Sequence, residues 1–242
     1  MKKIFSHPKS LRNISTHYCS GCGHGIAHRL IAEVVDELGI RERVIGICPV
    51  GCAVVAYDYW DFDCSEAAHG RGLAVATAIK RVRPENIVFT YQGDGDLAAI
   101  GTNETIHAAN RGENLTVIFI NNAVYGMTGG QMAPTTLLGQ KTATTPEGRT
   151  SLMQGWPLKI SEMLAMLPGV KYVERASLDS PGGIIKSKKA IKQAFENQIN
   201  KVGFSLVELL SACPTYWNMP ANQSLEWIKN SMIKEFPLGK IK

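Results

Sequence analysis

Residues 87–122 read IVFTYQGDGDLAAIGTNETIHAANRGENLTVIFINN. Two β-branched and aromatic runs, 87–91 and 115–120, flank a stretch that reads as a helix over about 100–111. Each run is continuously apolar and ends in small polar residues. The first ends at Gly93-Asp94-Gly95-Asp96 and the second at Asn121-Asn122. Continuous apolar strands joined through helices indicate a parallel sheet covered on both faces, an α/β fold. The same alternation continues on both sides of this segment. Upstream, Ile26, Leu30, Ile31, Val34, Val35 and Leu38 predict a helix over 25–39 with Gly39 as its stop. A buried strand is expected at 44–48 and an Ala/Val-rich helix at 72–83. Downstream, strands are expected around Tyr172 and Val173 and over 204–210, with helices at 183–201 and 225–236. Residues 126–149 are rich in Thr, Gly and Pro and show no period. That is too long for an ordinary connection, so a functional loop is expected there. With no repeat or domain-splitting linker, residues 1–242 read as one domain with an N-terminal CxxC segment and a C-terminal helical tail.

Composition narrows the function classes. In 242 residues, an apolar share of 45% beside a charged share of 19% excludes a disordered chain. No apolar run approaches the roughly 20 residues needed to span a bilayer. The first 20 residues lack a continuous apolar segment of the signal-peptide kind, so a cytoplasmic protein is the expectation. A net charge of +5 is modest, and its densest group, Lys186, Lys188, Lys189 and Lys192, reads as a solvated helix face. Neither nucleic acid nor membrane is an expected partner.

Ligands of parallel sheets bind beyond the carboxyl ends of the strands. Cys52, Asp94, Asn122 and Cys213 each follow a predicted strand, which groups them in one candidate site. Asp94 and Asn122 stand 28 residues apart, room for a helix and a strand, so both can come from loops on one sheet edge. Their oxygens suit Mg²⁺, which commonly shares its coordination with a diphosphate. Glycines beside Asp94 let the backbone approach phosphate oxygens. Ordinary turn chemistry would use the same residue types, but it does not account for the pairing. Of the cysteines at 19, 22, 48, 52, 64 and 213, only Cys19 and Cys22 form a CxxC. By spacing alone, Cys19, Cys22, Cys48 and Cys52 fit a structural zinc site. His24 and His28 stand four apart on a helix and read as structural, with no third ligand nearby in sequence. A nicotinamide enzyme would show GxGxxG after an early strand, and GDGDLAAIG is a different pattern.

GDGD followed by NN resembles the diphosphate-binding signature of thiamine diphosphate enzymes. YCSGCGHGIAHRL, PVGCAVVAYDYWD, EAAHGRGLAVATAIKR, YQGDGDLAAIG, NNAVYGMTGGQMAPTT and SACPTYW are together similar to the β subunit of 2-oxoacid:ferredoxin oxidoreductases. These segments cover about residues 17–220. The resemblance implies a thiamine diphosphate-binding (pyrophosphate-domain) fold. It assigns Mg²⁺ to Asp94, Asn122 and the carbonyl of Val124. It puts Gly95, Asp96, Gly126 and Met127 against the cofactor, with Gly51, Cys52, Ala53, His69, Gly70 and Arg71 in further contacting stretches. Read without it, His69 is a core histidine and Arg71 a surface ion-pair partner. Cys19, Cys22, Cys52 and Cys213 would hold a [4Fe–4S] cluster, leaving Cys48 and Cys64 as buried thiols. The implied reaction is oxidative decarboxylation of a 2-oxoacid to acyl-CoA and CO₂. Coenzyme A is the co-substrate, and electrons pass through the cluster to ferredoxin. No catalytic residue is expected in this chain, because the activating glutamate belongs to a partner α subunit; γ and δ subunits complete the implied assembly. YDYWDFD and QMAPTTLLGQKT are most similar to the branch acting on 2-oxoisovalerate, with 2-oxoglutarate and then pyruvate as the alternatives.

Overall fold

The apolar runs become neighbouring strands. A computed structural model of the chain describes residues 6–242; the first five, with Lys2 and Lys3, lie outside the described residues. The strands are β1 (Val44–Pro49), β2 (Asp63–Ala67), β3 (Ile87–Gly93), β4 (Thr116–Asn121), β5 (Val124–Tyr125), β6 (Gln131–Met132), β7 (Val170–Ser177), β8 (Phe204–Leu210) and β9 (Gly239–Lys240). Seven form one sheet in the order β2-β1-β3-β4-β8-β7-β9, parallel except for β9, which runs antiparallel to β7. The short β5 and β6 make a separate antiparallel ribbon. The helices are α1 (His24–Leu38), α2 (Gly72–Val82), α3 (Thr102–Asn110), α4 (Ser151–Gln154), α5 (Ile160–Ala165), α6 (Pro181–Ile199), α7 (Pro214–Trp217), α8 (Ala221–Trp227) and α9 (Ile233–Glu235).

Side chains alternate between the two faces along each strand. Phe89, Tyr91, Ile118 and Val207 pack under Leu30 and Ile31 of α1 and Ile191 and Phe195 of α6. Val88, Val117, Phe119 and Leu206 face the other way, against Leu73 of α2, Ala108 of α3 and Leu164 of α5. Each fully buried Val, Leu, Ile or Phe among them contributes about 1.5–3 kcal/mol. A third cluster lies past the strand ends, where Trp217, Ile228, Met232 and Phe236 cover Ala123, Val124 and Leu210. The C-terminal helical segment therefore caps β4 and β8.

Several elements differ from the sequence reading. β2 is a polar edge strand, DCSEA, with only Ala67 buried, so it carries no apolar period to recognise. The helix expected from about residue 100 opens with a widened turn over Asp96–Ile100 before α3 begins. The helix expected over 225–236 starts earlier, at Ala221, and is interrupted by a second widened turn, Ile228–Met232. β7 extends well beyond Tyr172 and Val173. Among the described residues no helix is long and apolar enough to cross a membrane.

The connection from β1 leads to β2 on one side, whereas that from β3 leads to β4 on the other. Between two such diverging connections a crevice opens at the carboxyl ends of the strands.

Candidate active site

A cavity of about 300 Å³ occupies that crevice. The exit of β1 contributes residues 50–53, the exit of β3 residues 93–96, and the exit of β4 Asn122 and residues 124–128; His24 and His69 complete the wall. Of the residues expected near the cofactor or Mg²⁺, Gly51, Cys52, Ala53, His69, Asp94, Gly95, Asp96, Asn122, Val124, Gly126 and Met127 line this one space. Gly70 and Arg71 stand behind it. The Gly70 N–H donates to Asp96 Oδ1 at 2.5 Å. Arg71 Nη1 pairs with Glu104 at 2.8 Å and reaches the carbonyls of Gly70 and Ile100. Arg71 thus makes the ion pair read from the sequence without the resemblance.

Asp94 is 2% exposed. Burial drives its pKa up to about 7, opposed by the Thr135 hydroxyl and by the N–H groups of Gly95 and Ala123. Thr135 Oγ1 donates to Asp94 Oδ2 at 2.7 Å and the Gly95 N–H to Oδ1 at 2.8 Å. A carboxylate this desolvated, with neutral donors as its near partners, is the electrostatic setting a divalent cation would relieve. The neighbouring turn offers further hard oxygens. Asn122 Oδ1 accepts the Val124 N–H at 3.3 Å, and Trp217 Nε1 donates to the Asn122 carbonyl at 2.9 Å. Between them Ala123 adopts a left-handed conformation, φ +59°. Asp96, buried beside Gln92 and Gly70, holds His69, whose Nδ1 lies 3.3 Å from Asp96 Oδ1 and 2.6 Å from the Val50 carbonyl. The Asp96 hydrogen bond, working against burial, raises the His69 pKa. The histidine links the exits of β1 and β3.

Cys52 lies in the wall of the cavity. A Cβ placed on Gly126 would lie 3.1 Å from Cys52 Sγ, tighter than ordinary contact, and 3.8 Å from Cys213 Sγ, so Gly126 stands beside both sulfurs. The thiols of Cys22 and Cys52 are pushed up to about 11 and that of Cys213 to about 12, by burial first and then by the other members of the Cys19, Cys22, Cys52 and Cys213 set. Ionising such a group of neighbouring thiols requires positive charge among them, which cluster iron would supply. Among the described residues no three His, Cys, Asp or Glu side chains converge closely enough to hold a lone metal ion. A four-iron cluster sits between its ligands and spaces them more widely than a single ion does. Cys48 belongs to the core under α1. A hydrogen bond with Cys64, then burial, raises its pKa. The zinc quartet drawn from spacing therefore loses Cys48 to the core. Cys64, expected to be buried, is half-buried on the edge strand.

His24 and His28 are both buried. His24 Nδ1 is 2.6 Å from Tyr91 Oη, and Tyr18 Oη donates to the Cys52 carbonyl at 2.9 Å. Burial lowers the pKa of both histidines, to about 4 for His24, so they are neutral parts of an aromatic wall.

Two contributors escaped the sequence reading. Thr135 holds Asp94 from inside the long loop. Arg149, 4% exposed, closes that loop by donating to the carbonyls of Ala133, Pro134, Thr136, Gln154, Gly155 and Trp156. The only sequence signal for Thr135 was two threonines after Pro134 in a segment without period.

Comparison with known proteins gives three kinds of likeness. Residues 50–209 match the family described as thiamine pyrophosphate enzyme, C-terminal TPP binding domain. The ketoisovalerate oxidoreductase subunit VorA of Methanothermobacter thermautotrophicus is 51% identical over 98% of this chain and 52% of its own length. The 2-oxoglutarate synthase subunit KorB of Archaeoglobus fulgidus is 38% identical over 96% of this chain and 82% of its own. This chain therefore spans about half the length of the VorA relatives and most of the KorB relative. Among solved structures, the 2-oxoglutarate:ferredoxin oxidoreductase of Magnetococcus marinus, with 2-oxoglutarate, coenzyme A and succinyl-CoA bound, superposes with a TM-score of 0.76. That match is 28% identical and covers 88% of this chain and 70% of the other.

Proposed function

The chain belongs to the thiamine pyrophosphate enzymes, among the 2-oxoacid:ferredoxin oxidoreductase subunits, and from that premise we propose that it is the cofactor-binding subunit of such an enzyme. The reaction is oxidative decarboxylation: a 2-oxoacid and coenzyme A give acyl-CoA and CO₂. Two electrons leave, one at a time, for ferredoxin. One observation carries this reading: Asp94, Asn122 and Val124 line the same cavity as Cys52, and Gly126 of that lining stands beside both Cys52 and Cys213.

Thiamine diphosphate, when bound, would supply a nucleophilic carbon and an electron sink for loss of the carboxylate. The chain's own residues bind and orient it. Asp94, Asn122 and the Val124 carbonyl are assigned to Mg²⁺ and so to the diphosphate. Gly95, Asp96, Gly126 and Met127 form the contact surface, and Gly51, Ala53 and His69 complete the wall. Cys19, Cys22, Cys52 and Cys213 would hold a [4Fe–4S] cluster, which would take up the electrons; Cys52 of this set lines the cavity. The glutamate that activates the cofactor is assigned to a partner subunit.

For the substrate we favour a branched-chain acid such as 2-oxoisovalerate. The relative named for ketoisovalerate has the higher identity, 51% against 38%. The cavity wall presents Val50, Ala53 and Met127, and among the described residues it includes neither Lys nor Arg to meet a second carboxylate. Anaerobic purification with the native partners, followed by iron, sulfide and zinc analysis and mass spectrometry of bound cofactors, tests the reading. Iron and sulfide in equal amounts beside thiamine diphosphate is the expected result; zinc without sulfide or thiamine would refute it. A kcat/KM for 2-oxoglutarate or pyruvate above that for 2-oxoisovalerate would overturn the substrate choice alone.

A further inference from the structure

Behind the Asn121–Asn122 turn lies a set of charged side chains for which the proposed reaction has no use. Glu208 projects from β8 and is 1% exposed. Its Oε1 accepts from Asn121 Nδ2 at 2.7 Å. Its Oε2 accepts from Arg175 Nε at 2.7 Å and from Ser161 Oγ. Arg175, its direct neighbour on β7 and also 1% exposed, donates both Nη atoms to Glu162 at 2.8 and 2.7 Å. Its Nη1 also reaches the Pro237 carbonyl at 3.0 Å. At the other end, Asn121 Oδ1 accepts the N–H of Ala123 at 3.2 Å.

A buried ion pair inside a sheet is poorly explained by stability, because packed apolar side chains of similar volume serve at least as well. Its acceptor geometry offers a better reason. An ionised carboxylate only accepts, so Glu208 compels Asn121 to face it with its NH₂ group. The Asn121 oxygen is thereby turned to the Ala123 N–H. That hydrogen bond supports a left-handed alanine, a conformation that residues with a Cβ seldom adopt. Asn122 and Val124 flank this alanine, and they are two of the three oxygen donors assigned to Mg²⁺.

We propose that Glu208, held in place by Arg175, is a positioning residue for the cation-binding turn. It fixes the orientation of the Asn121 amide and through it the left-handed Ala123 that presents Asn122 and Val124. The inference rests on the assignment of Asp94, Asn122 and Val124 to Mg²⁺.

The test measures Mg²⁺ and thiamine diphosphate dissociation constants on cofactor-stripped holoenzyme assembled with its native partners. In Glu208→Gln the new amide keeps its oxygen toward Arg175 and turns its NH₂ to Asn121. Asn121 must then rotate and oppose its own NH₂ to the Ala123 N–H. Mg²⁺ affinity should fall on the order of 10–100-fold, the usual effect of losing a group that orients a metal ligand, with iron content unchanged. The double variant Asn121→Asp/Glu208→Gln restores an acceptor toward both neighbours and should recover most of that loss, which a general weakening of the sheet would not allow. Wild-type affinity in Glu208→Gln, or no recovery in the double variant, overturns the proposal. If Glu208→Gln does not assemble, Asn121→Ala decides, with weakened Mg²⁺ binding expected and unchanged binding refuting the role. Asp94→Ala separates the premise from the inference. Normal cofactor binding there would sink the cation assignment and this proposal with it. Loss there, beside normal binding in the other variants, would sink the positioning role alone.

Discussion

Asp94 sits where its charge is penalised, behind the exit of β3 and with neutral near partners. Such a group makes folding harder and is accounted for by what it binds. Asp94→Ala should abolish Mg²⁺-dependent thiamine diphosphate binding while iron content stays at the wild-type level. Isothermal titration of the assembled enzyme measures the first and metal analysis the second; retained tight cofactor binding refutes the assignment. The residue was legible because Asp94 and Asn122 recur at the ends of two apolar runs. Glu208 was legible in a weaker way, as the one charge within FSLVELL. Its meaning was not, because the sequence does not say that Arg175 of another strand lies beside it or that Asn121 lies above it.

The helices α1 and α6 are joined across the sheet face by ions as well as by their apolar stripes. Lys188 lies 2.7 Å from both Glu33 and Glu37, and Lys192 lies 3.1 Å from Glu37. Burial raises Glu33, but hydrogen bonds from Lys188 and Arg29 outweigh it and hold its carboxyl below the ordinary 4.5. Glu37 is lowered chiefly by the hydrogen bond from Lys188. Depressed carboxylates add stability that is present above their unfolded pKa and lost as pH falls through the folded one. Lys188 itself is raised, despite burial, so its share is lost only as pH rises through its folded value, above 10.5. The groups are partly exposed, so Lys188→Ala should cost no more than about 1 kcal/mol near neutrality. In urea unfolding that difference should fade below pH 4.5. A difference unchanged down to pH 3 would show that the pair does not carry it. Lys186 and Lys189 are exposed, as a solvated face requires, whereas Lys188 and Lys192 meet α1, because helix period reveals a polar face but not the helix opposite. The long loop is the converse case. Its lack of period marked it as functional, but its order depends on Arg149 meeting six scattered carbonyls. Arg149→Met strands those carbonyls and should cost about 1–3 kcal/mol. Hydrogen exchange over 133–156 should accelerate, and Mg²⁺ affinity should weaken through Thr135. Wild-type protection in that segment would contradict the account.

The chain gathers its chemistry at one edge from segments far apart in sequence. Cys19 and Cys22 precede α1, Cys52 follows β1 and Cys213 follows β8. The parallel sheet makes this possible, since successive strands deliver their exits to the same edge. That is also why strand ends sufficed to group the site before its geometry was known, whereas β2, polar and at the sheet margin, went unread. A cluster bound by these four cysteines would tie the N-terminal segment, the exit of β1 and the C-terminal cap to one another. Anything that binds only the folded chain stabilises it. Removing iron with an oxidant and chelator should therefore lower the thermal midpoint of the assembled enzyme. Cys52→Ser should reproduce that loss, with little iron retained on anaerobic purification. Cys48→Ser, in the core beneath α1, should keep its iron and its absorption spectrum even if its midpoint drops through lost packing. The two cysteines are four residues apart, Cys48 inside β1 and Cys52 just past its end. Iron lost from Cys48→Ser but kept in Cys52→Ser would reverse the ligand assignment.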